Sequence, residues 1–256
     1  MNTLALFLTL IFVAFAVLLS VWQRIGLQKD ILIGTVRAAI QLIAVGYILQ
    51  AIFELKSWIY IAAMISVMIT VATLNARKKG KGFQGIGWRI AFAITSTEIL
   101  TMGLLLSLKI IDPSPRYVIP ISGMIIGNGM VVSGLFLNRL RSEIETRREE
   151  IKVYLGLGAT SKQAISHVMR NTVKASMLPT IDGMKTVGLV QLPGMMTGMI
   201  VAGADPIEAV RYQILIMYSF TSSAAITAIF LGILTHSLLF TKTHQFIELN
   251  LSGKSS

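Results

Sequence analysis

Cysteine is absent from this 256-residue chain, which excludes disulfides, zinc–thiolate sites and a thiol nucleophile. Charge is scarce: only 14% of residues are Asp, Glu, Lys or Arg, and twelve of them are acidic. The three histidines, His167, His236 and His244, lie too far apart in sequence for a metal triad. Gly80 to Gly85 spells GxGxxG, but it follows an apolar run and not a strand, so no dinucleotide fold supports it. Gly156 to Lys162 carries the ingredients of a phosphate loop in the wrong order. No catalytic constellation emerges. The expectation is a chain that is not itself an enzyme and needs no cofactor.

Apolar sequence is abundant. Hydrophobic residues make up 54% of the chain, with a mean hydropathy of +0.72. A water-soluble domain of this size leaves too much surface wet to hide that composition, whereas a lipid solvent removes the difficulty. Length leaves room for one membrane domain over 1–256 and none for an ATPase of ordinary size. The fold class expected is all-α and polytopic, with seven transmembrane helices near 3–22, 31–53, 58–76, 88–108, 118–138, 186–204 and 212–240, each close to the ~20 residues a bilayer requires. The first lacks a basic leader and is too long for a signal-peptide core, so it reads as a span. The sixth contains Pro193 and four glycines, which favour a broken or re-entrant helix.

The formal net charge of +11 does not point to nucleic acid, because no basic platform is interleaved with aromatics. Lys and Arg gather at the ends of the apolar runs. Segments 23–30, 75–89, 139–185 and 241–256 hold two, five, nine and two of the 23. The alternating loops hold only Lys56, Lys109, Arg116 and Arg211. By the positive-inside rule the N-terminus is outside and the C-terminus cytoplasmic. A cell-membrane, multi-pass protein in contact with anionic headgroups is expected.

Segment 139–185 is the one long non-membrane stretch. Leu140, Ile144, Ile151 and Leu155 recur at helical spacing, with Arg141–Glu145 and Glu143–Arg147 as ion pairs on the wet side. The fifth span is therefore expected to run on as one long helix until Gly156 and Gly158 end it. Thr160 with Gln163 forms a capping box that starts a second helix. Its buried face is Ile165, Val168, Met169, Thr172 and Val173, with Lys162, Arg170 and Lys174 turned away, and Pro179 closes it. Asp205-Pro206-Ile207-Glu208 opens the last span by the same logic.

Polar groups within spans are functional candidates. At 1.5 Å per residue, Gln41, Glu98 and Asn128 each lie ~15 Å from a helix end, near the midplane. Arg37 sits one turn before Gln41 on the same face, and Gln191 lies nearer the cytoplasm. A charge at the bilayer centre costs roughly 2.5–3.5 kcal/mol, so Glu98 needs a partner or water. Arg37 is the nearest candidate. Two readings stay open: a structural Arg37–Glu98 pair, or a pathway carboxylate that binds a hard cation. Met195, Met196 and Met199 are either soft-metal contacts or packing residues. Gly123 with Gly127 and Gly194 with Gly198 form GxxxG patterns that suit close helix packing.

The run Glu149-Glu150, Leu157-Gly158-Ala159-Thr160 and Leu178-Pro179 resembles the cytoplasmic coupling loop of ABC importer-type permeases, a lever that docks on an ATPase. An amphipathic helix lying on the lipid surface is the plainer alternative. The resemblance extends further, to Lys29-Asp30-Ile31, Arg37-Ala38, Gln41-Leu42-Ile43, Val118 to Met124, Gly127-Asn128, Leu157 to Thr160 and Thr186 to Met196. On these stretches nearly the whole chain resembles the FetB-type family of ABC transporter permeases, described as iron exporters and related to plant aluminium-sensitivity proteins. That resemblance implies a homodimeric permease with two partner cytoplasmic ATPases, exporting a metal ion. It implies coupling through Glu149, Glu150, Leu157, Gly158, Ala159 and Thr160. The reading from another class is a secondary transporter or channel needing no ATPase, whose signature would be paired inverted repeats with broken helices.

Overall fold

A computed structural model describes residues 8–55, 57–241 and 245–246. Residues 3–7 of the first expected span, together with Lys56 and His244, lie outside the described residues. The described chain is all-α, with ten helices and one 3-10 turn, and it divides into two compact units, 1–57 and 58–256.

The first unit is a hairpin of α1 (Leu10–Trp22) and α2 (Gln28–Leu55). The turn between them uses left-handed backbone at Arg24 and Gly26. Buried Ser20 accepts a hydrogen bond from the Leu27 amide through its hydroxyl at 3.1 Å, and so satisfies an orphan donor at the start of α2. Within this unit most of α2 is exposed, including Leu42, Ile43 and Tyr47. A helix apolar on every side is a lipid-facing helix or one covered by protein.

The second unit begins with α3 (Trp58–Arg77), which passes through a 3-10 turn at Lys78–Gly80 into α4 (Ile86–Ser107). Next comes α5 (Pro115–Thr146), with Pro115 in the first turn, where its missing amide costs nothing. Its 32 residues span ~48 Å at 1.5 Å each, well beyond a ~30 Å hydrocarbon core. α6 (Arg148–Gly156) follows after a break at Arg147, then α7 (Ser161–Ala164), α8 (Ser166–Thr186), α9 (Gly194–Val201) and α10 (Pro206–His236). α5 is central and packs on α3, α4, α8 and α10. Arg89 of α4 donates to the Leu234 carbonyl at 2.9 Å, capping an orphan acceptor in the last turn of α10.

Five described helices are long and apolar enough to cross a membrane: Gln28–Glu54, Trp58–Gly80, Ile86–Ser107, Pro115–Thr146 and Pro206–His236. They match five of the expected spans, and the chain is a multi-pass membrane protein. The stretch 186–204 is not one helix. Thr186 ends α8, and the backbone turns at Gly188 (φ +84°), where the Gly188 amide donates to the Gln191 carbonyl at 3.0 Å. α9 then adds only eight residues. The interruption at Pro193 is thus a full loop.

Three further expectations are corrected. α8 runs through Pro179 to Thr186. Buried Thr172 and Ser176 lock the helix against its neighbours, and this packing outweighs the one hydrogen bond that proline removes. The fifth span and its extension are two helices, not one, parted at Arg147. The Arg141–Glu145 pair does not form, because Arg141 donates to the Lys81 carbonyl instead. Glu143 does pair with Arg147 at 3.0 Å, and with Arg139 at 2.5 Å, but it is buried and not wet.

Candidate functional site

Two places gather the candidate residues of the second unit: a protruding helical tip and a cavity beside the broken helix.

The tip is built by capping. At its end the Ala159 amide donates to the Tyr154 carbonyl and the Gly158 amide to the Leu155 carbonyl, each at 3.0 Å. This double closure requires a left-handed residue, and Gly158 supplies it at φ +88°. Thr160 then caps α7: its hydroxyl accepts from the Gln163 amide, while the Gln163 side chain accepts from the Thr160 amide at 2.9 Å. Both caps were legible in the sequence.

One side of this tip joins the core. Ile144, Ile151, Ala164, Ile165 and Val168 are buried in the same cluster as Phe136, Leu140, Leu231 and Leu239. The other side is bare. Val153, Tyr154 and Leu157 are exposed, with Leu157 at 79%. Glu149 and Glu150 lie at the start of α6, where acids favour the helix dipole, paired with Lys152 and Arg147. The Arg147 guanidinium is held above its usual range chiefly by its hydrogen bond to Glu150. The expected face of α8 is observed: Ile165, Val168 and Thr172 are buried, Met169 and Val173 pack against the core, and Lys162, Arg170 and Lys174 are exposed.

The cavity, of about 400 Å³, lies among α5, α8, the 187–193 loop, α9 and α10. It brings together Asn128 and Gln191, two of the polar candidates, and Met195, one of the soft-metal candidates, with Met124, Thr180, Met217 and Gln213. Asn128 is fully engaged: its Nδ2 donates to the Phe220 carbonyl at 2.9 Å and to Ser223 Oγ at 3.0 Å, and its Oδ1 accepts from Thr180 at 3.4 Å. It pins three helices together at the cavity wall. Gln213 is the opposite case. Only 5% exposed, it keeps an Oε1 without a hydrogen-bond partner, and such a group carries a desolvation cost of ~1–3 kcal/mol. Sequence reasoning missed it because it fell at the edge of the expected last span, one residue inside, although an amide within an apolar run is itself a signal.

Glu98 lies elsewhere, buried in α4 and 4% exposed. The Ser122 hydroxyl is near it, but neither carboxylate oxygen completes a hydrogen bond, and the hydroxyls of Thr101 and Ser122 are likewise unpartnered. One residue away, Thr97 and Thr227 share a hydrogen bond of 2.9 Å. Arg37 and Gln41 belong to the first unit, where both line an exposed groove on α2. Met196 and Met199 are half-buried on α9, beside the cavity-lining Met195. Of the glycine pairs, Gly123 makes ordinary contact with Met68, while Gly127, Gly194 and Gly198 face open space. The close helix approach is at Gly129, where an added Cβ would lie 3.3 Å from Thr227 Oγ1. Among the described residues no group of three His, Asp or Glu side chains converges on a metal-sized site.

Comparison with known proteins gives a consistent set of relatives. A family model described as "Uncharacterised protein family (UPF0014)" matches residues 3–240. The chain is 50% identical over 250 residues to "UPF0014 membrane protein YjkA" of Bacillus subtilis, covering 98% of this chain and all of that protein. It is 38% identical over 250 residues to "Probable iron export permease protein FetB" of Escherichia coli, covering 98% and 96%. It is 35% identical over 238 residues to "Protein ALUMINUM SENSITIVE 3" of Arabidopsis thaliana, covering 92% and 86%. No solved structure gives a significant match.

Proposed function

This chain belongs to the UPF0014 family of membrane proteins, and from that premise we propose that it is the membrane-spanning subunit of an ABC transporter. In this reading it works as a homodimer, exports a metal ion with iron as the first candidate, and draws energy from a separate cytoplasmic ATPase. The observation that carries the proposal is the tip at Val153–Thr160. It is rigid, capped at both sides of its turn, rooted in the transmembrane core through Ile151 and Ile165, and bare on its apolar outer side. A lipid-surface helix has no need of a shaped turn, whereas a lever needs both a root and a knob. The relative named as an iron export permease supplies the cargo and the direction.

The chain crosses the bilayer seven times, with α8, the 187–193 loop and α9 together as one interrupted crossing. The cytoplasmic part then narrows to the α5 extension, α6 and α7, with the N-terminus outside. Irregular backbone is tolerated at membrane depth only where protein or water covers it. Yet Leu189 and Val190 on this loop are 90% and 84% exposed. A second copy would cover them, and their exposure supports the homodimer. Cargo passes the cavity at Gln213, Gln191 and Met195, with Asn128 holding its wall. The dimer seam takes Gly127, Gly194 and Gly198, where backbone lies open.

The test is co-purification of the ATPase, together with vanadate-sensitive ferrous-ion flux into inside-out vesicles. Val153→Asp/Leu157→Asp alters only exposed side chains, so insertion should persist while ATPase capture and flux are lost. Gly158→Leu should act the same way. Capture unchanged in both variants would remove the lever from the mechanism. Flux driven by an ion gradient through the lone chain would favour a secondary transporter.

A further inference from the structure

A second cavity, unconnected with the pathway, lies along the outer surface where α8 meets α10. It is an open groove of about 810 Å³. Its floor is apolar, formed by Met169, Val173 and Met177 of α8 and by Ile233 of α10. Gly232 keeps the floor low: a Cβ there would already touch Val173 at 3.4 Å. Lys162, Arg170 and Lys174 line the same groove, and no Asp or Glu does. None of the three cations makes a salt bridge among the described residues.

The order of these residues along the groove matters. The cations occupy the end over α7 and the first turns of α8, which the proposed topology puts on the cytoplasmic side, and the groove continues beyond Lys174 through Met177 to Ile181 with apolar lining alone. From Ser166 to Ile181 the axis rises ~22 Å, comparable with one membrane leaflet and its headgroup layer. An amphiphile with a negative head and a long tail fits that gradient. A free phosphate would use the cations and leave the floor empty. A zwitterionic lipid would use the floor and leave the cations unneutralised. Basic pockets between transmembrane helices on the cytoplasmic side suit anionic headgroups, each cation near the surface contributing ~1 kcal/mol.

We propose that this groove is a binding site for one anionic phospholipid, its phosphate held by Lys162, Arg170 and Lys174 and an acyl chain laid on Met169, Val173 and Met177. The site rests on the proposed topology, in which α8 enters the bilayer from the cytoplasm, and not on the ATPase partnership. Because α8 leads directly from the coupling tip to the cavity, a lipid clamped along it would stiffen the lever.

The test uses the full chain, purified from nanodiscs of phosphatidylcholine with a minority of phosphatidylglycerol, and native mass spectrometry of the lipid it retains. Wild type should keep phosphatidylglycerol over phosphatidylcholine. Arg170→Ala/Lys174→Ala should lower that retention about fivefold for each cation removed, the equivalent of ~1 kcal/mol apiece. Arg116→Ala, a cation outside the groove, should leave it unchanged. Gly232→Trp keeps every cation but fills the floor, and should abolish retention. Should it fail to fold, Ile233→Trp serves instead, because that side chain is already exposed. Equal retention in the charge and filling variants would overturn the proposal, as would displacement of the lipid by millimolar inorganic phosphate. Retention that tracks a change from monomer to dimer would also overturn it, by assigning the groove to a second copy.

Discussion

At the scale of single residues, the buried polar groups without partners are the ones whose roles can be separated by substitution. Glu98, Thr101, Ser122 and Gln213 all keep side-chain oxygens without partners in the interior, an arrangement that costs stability and persists only where something else requires it. Two substitutions separate structural from functional roles. Glu98→Gln removes a buried ionisable group at nearly constant shape. Among the described residues of the second unit no cation is paired with it, so the melting temperature in detergent should hold or rise. A fall of several degrees would reveal a charged partner such as Arg37. Gln213→Met replaces an unsatisfied amide by a side chain of similar volume. It should raise the melting temperature while lowering metal flux, and a fall in both would make Gln213 a packing residue. Asn128 shows why intramembrane polarity is an incomplete guide: its depth could be read along the chain, but its three engaged bonds depend on Phe220, Ser223 and Thr180, 52 to 95 residues away.

At the scale of elements, the helix ends were the most legible features. The Thr160–Gln163 capping box, the left-handed Gly158 and the Asp205 cap with Pro206 all appear as read, because each uses residues within a few positions of one another. Thr160→Ala should destabilise the α7 start by ~1 kcal/mol, seen as faster amide exchange at Ser161 to Gln163 with α5 unaffected. Uniform exchange across the tip would mean that its order comes from core contacts alone. Pro179 was misread for a complementary reason. A proline ends an isolated helix, but α8 is held on two sides by α5 and α10, and that packing decides. Likewise Arg141 faced two acceptors, a glutamate four residues on and the Lys81 carbonyl. Only the fold brings the second within reach.

At the scale of the whole molecule, the proposed topology has a direct test, because the natural chain contains no cysteine and is already a labelling background. Leu157→Cys should react in intact cells only with a membrane-permeant maleimide, whereas Ala202→Cys and Lys109→Cys should react with an impermeant one. Reaction of Ala202→Cys from the cytoplasmic side alone would mean that the interrupted segment turns back within the bilayer, making the crossing count even.

Composition and local pattern suffice to make this chain an all-α membrane protein, to position its long spans and to shape the turn at Gly158, because hydropathy, charge placement and capping act over at most a few helical turns. They do not reveal which polar side chains are left unsatisfied, that α8 runs on through Pro179 to Thr186, or that a basic groove runs beside α8. Those features arise from helices remote in sequence packing side by side, where each hydrogen bond or contact is won by whichever neighbour the bundle brings closest.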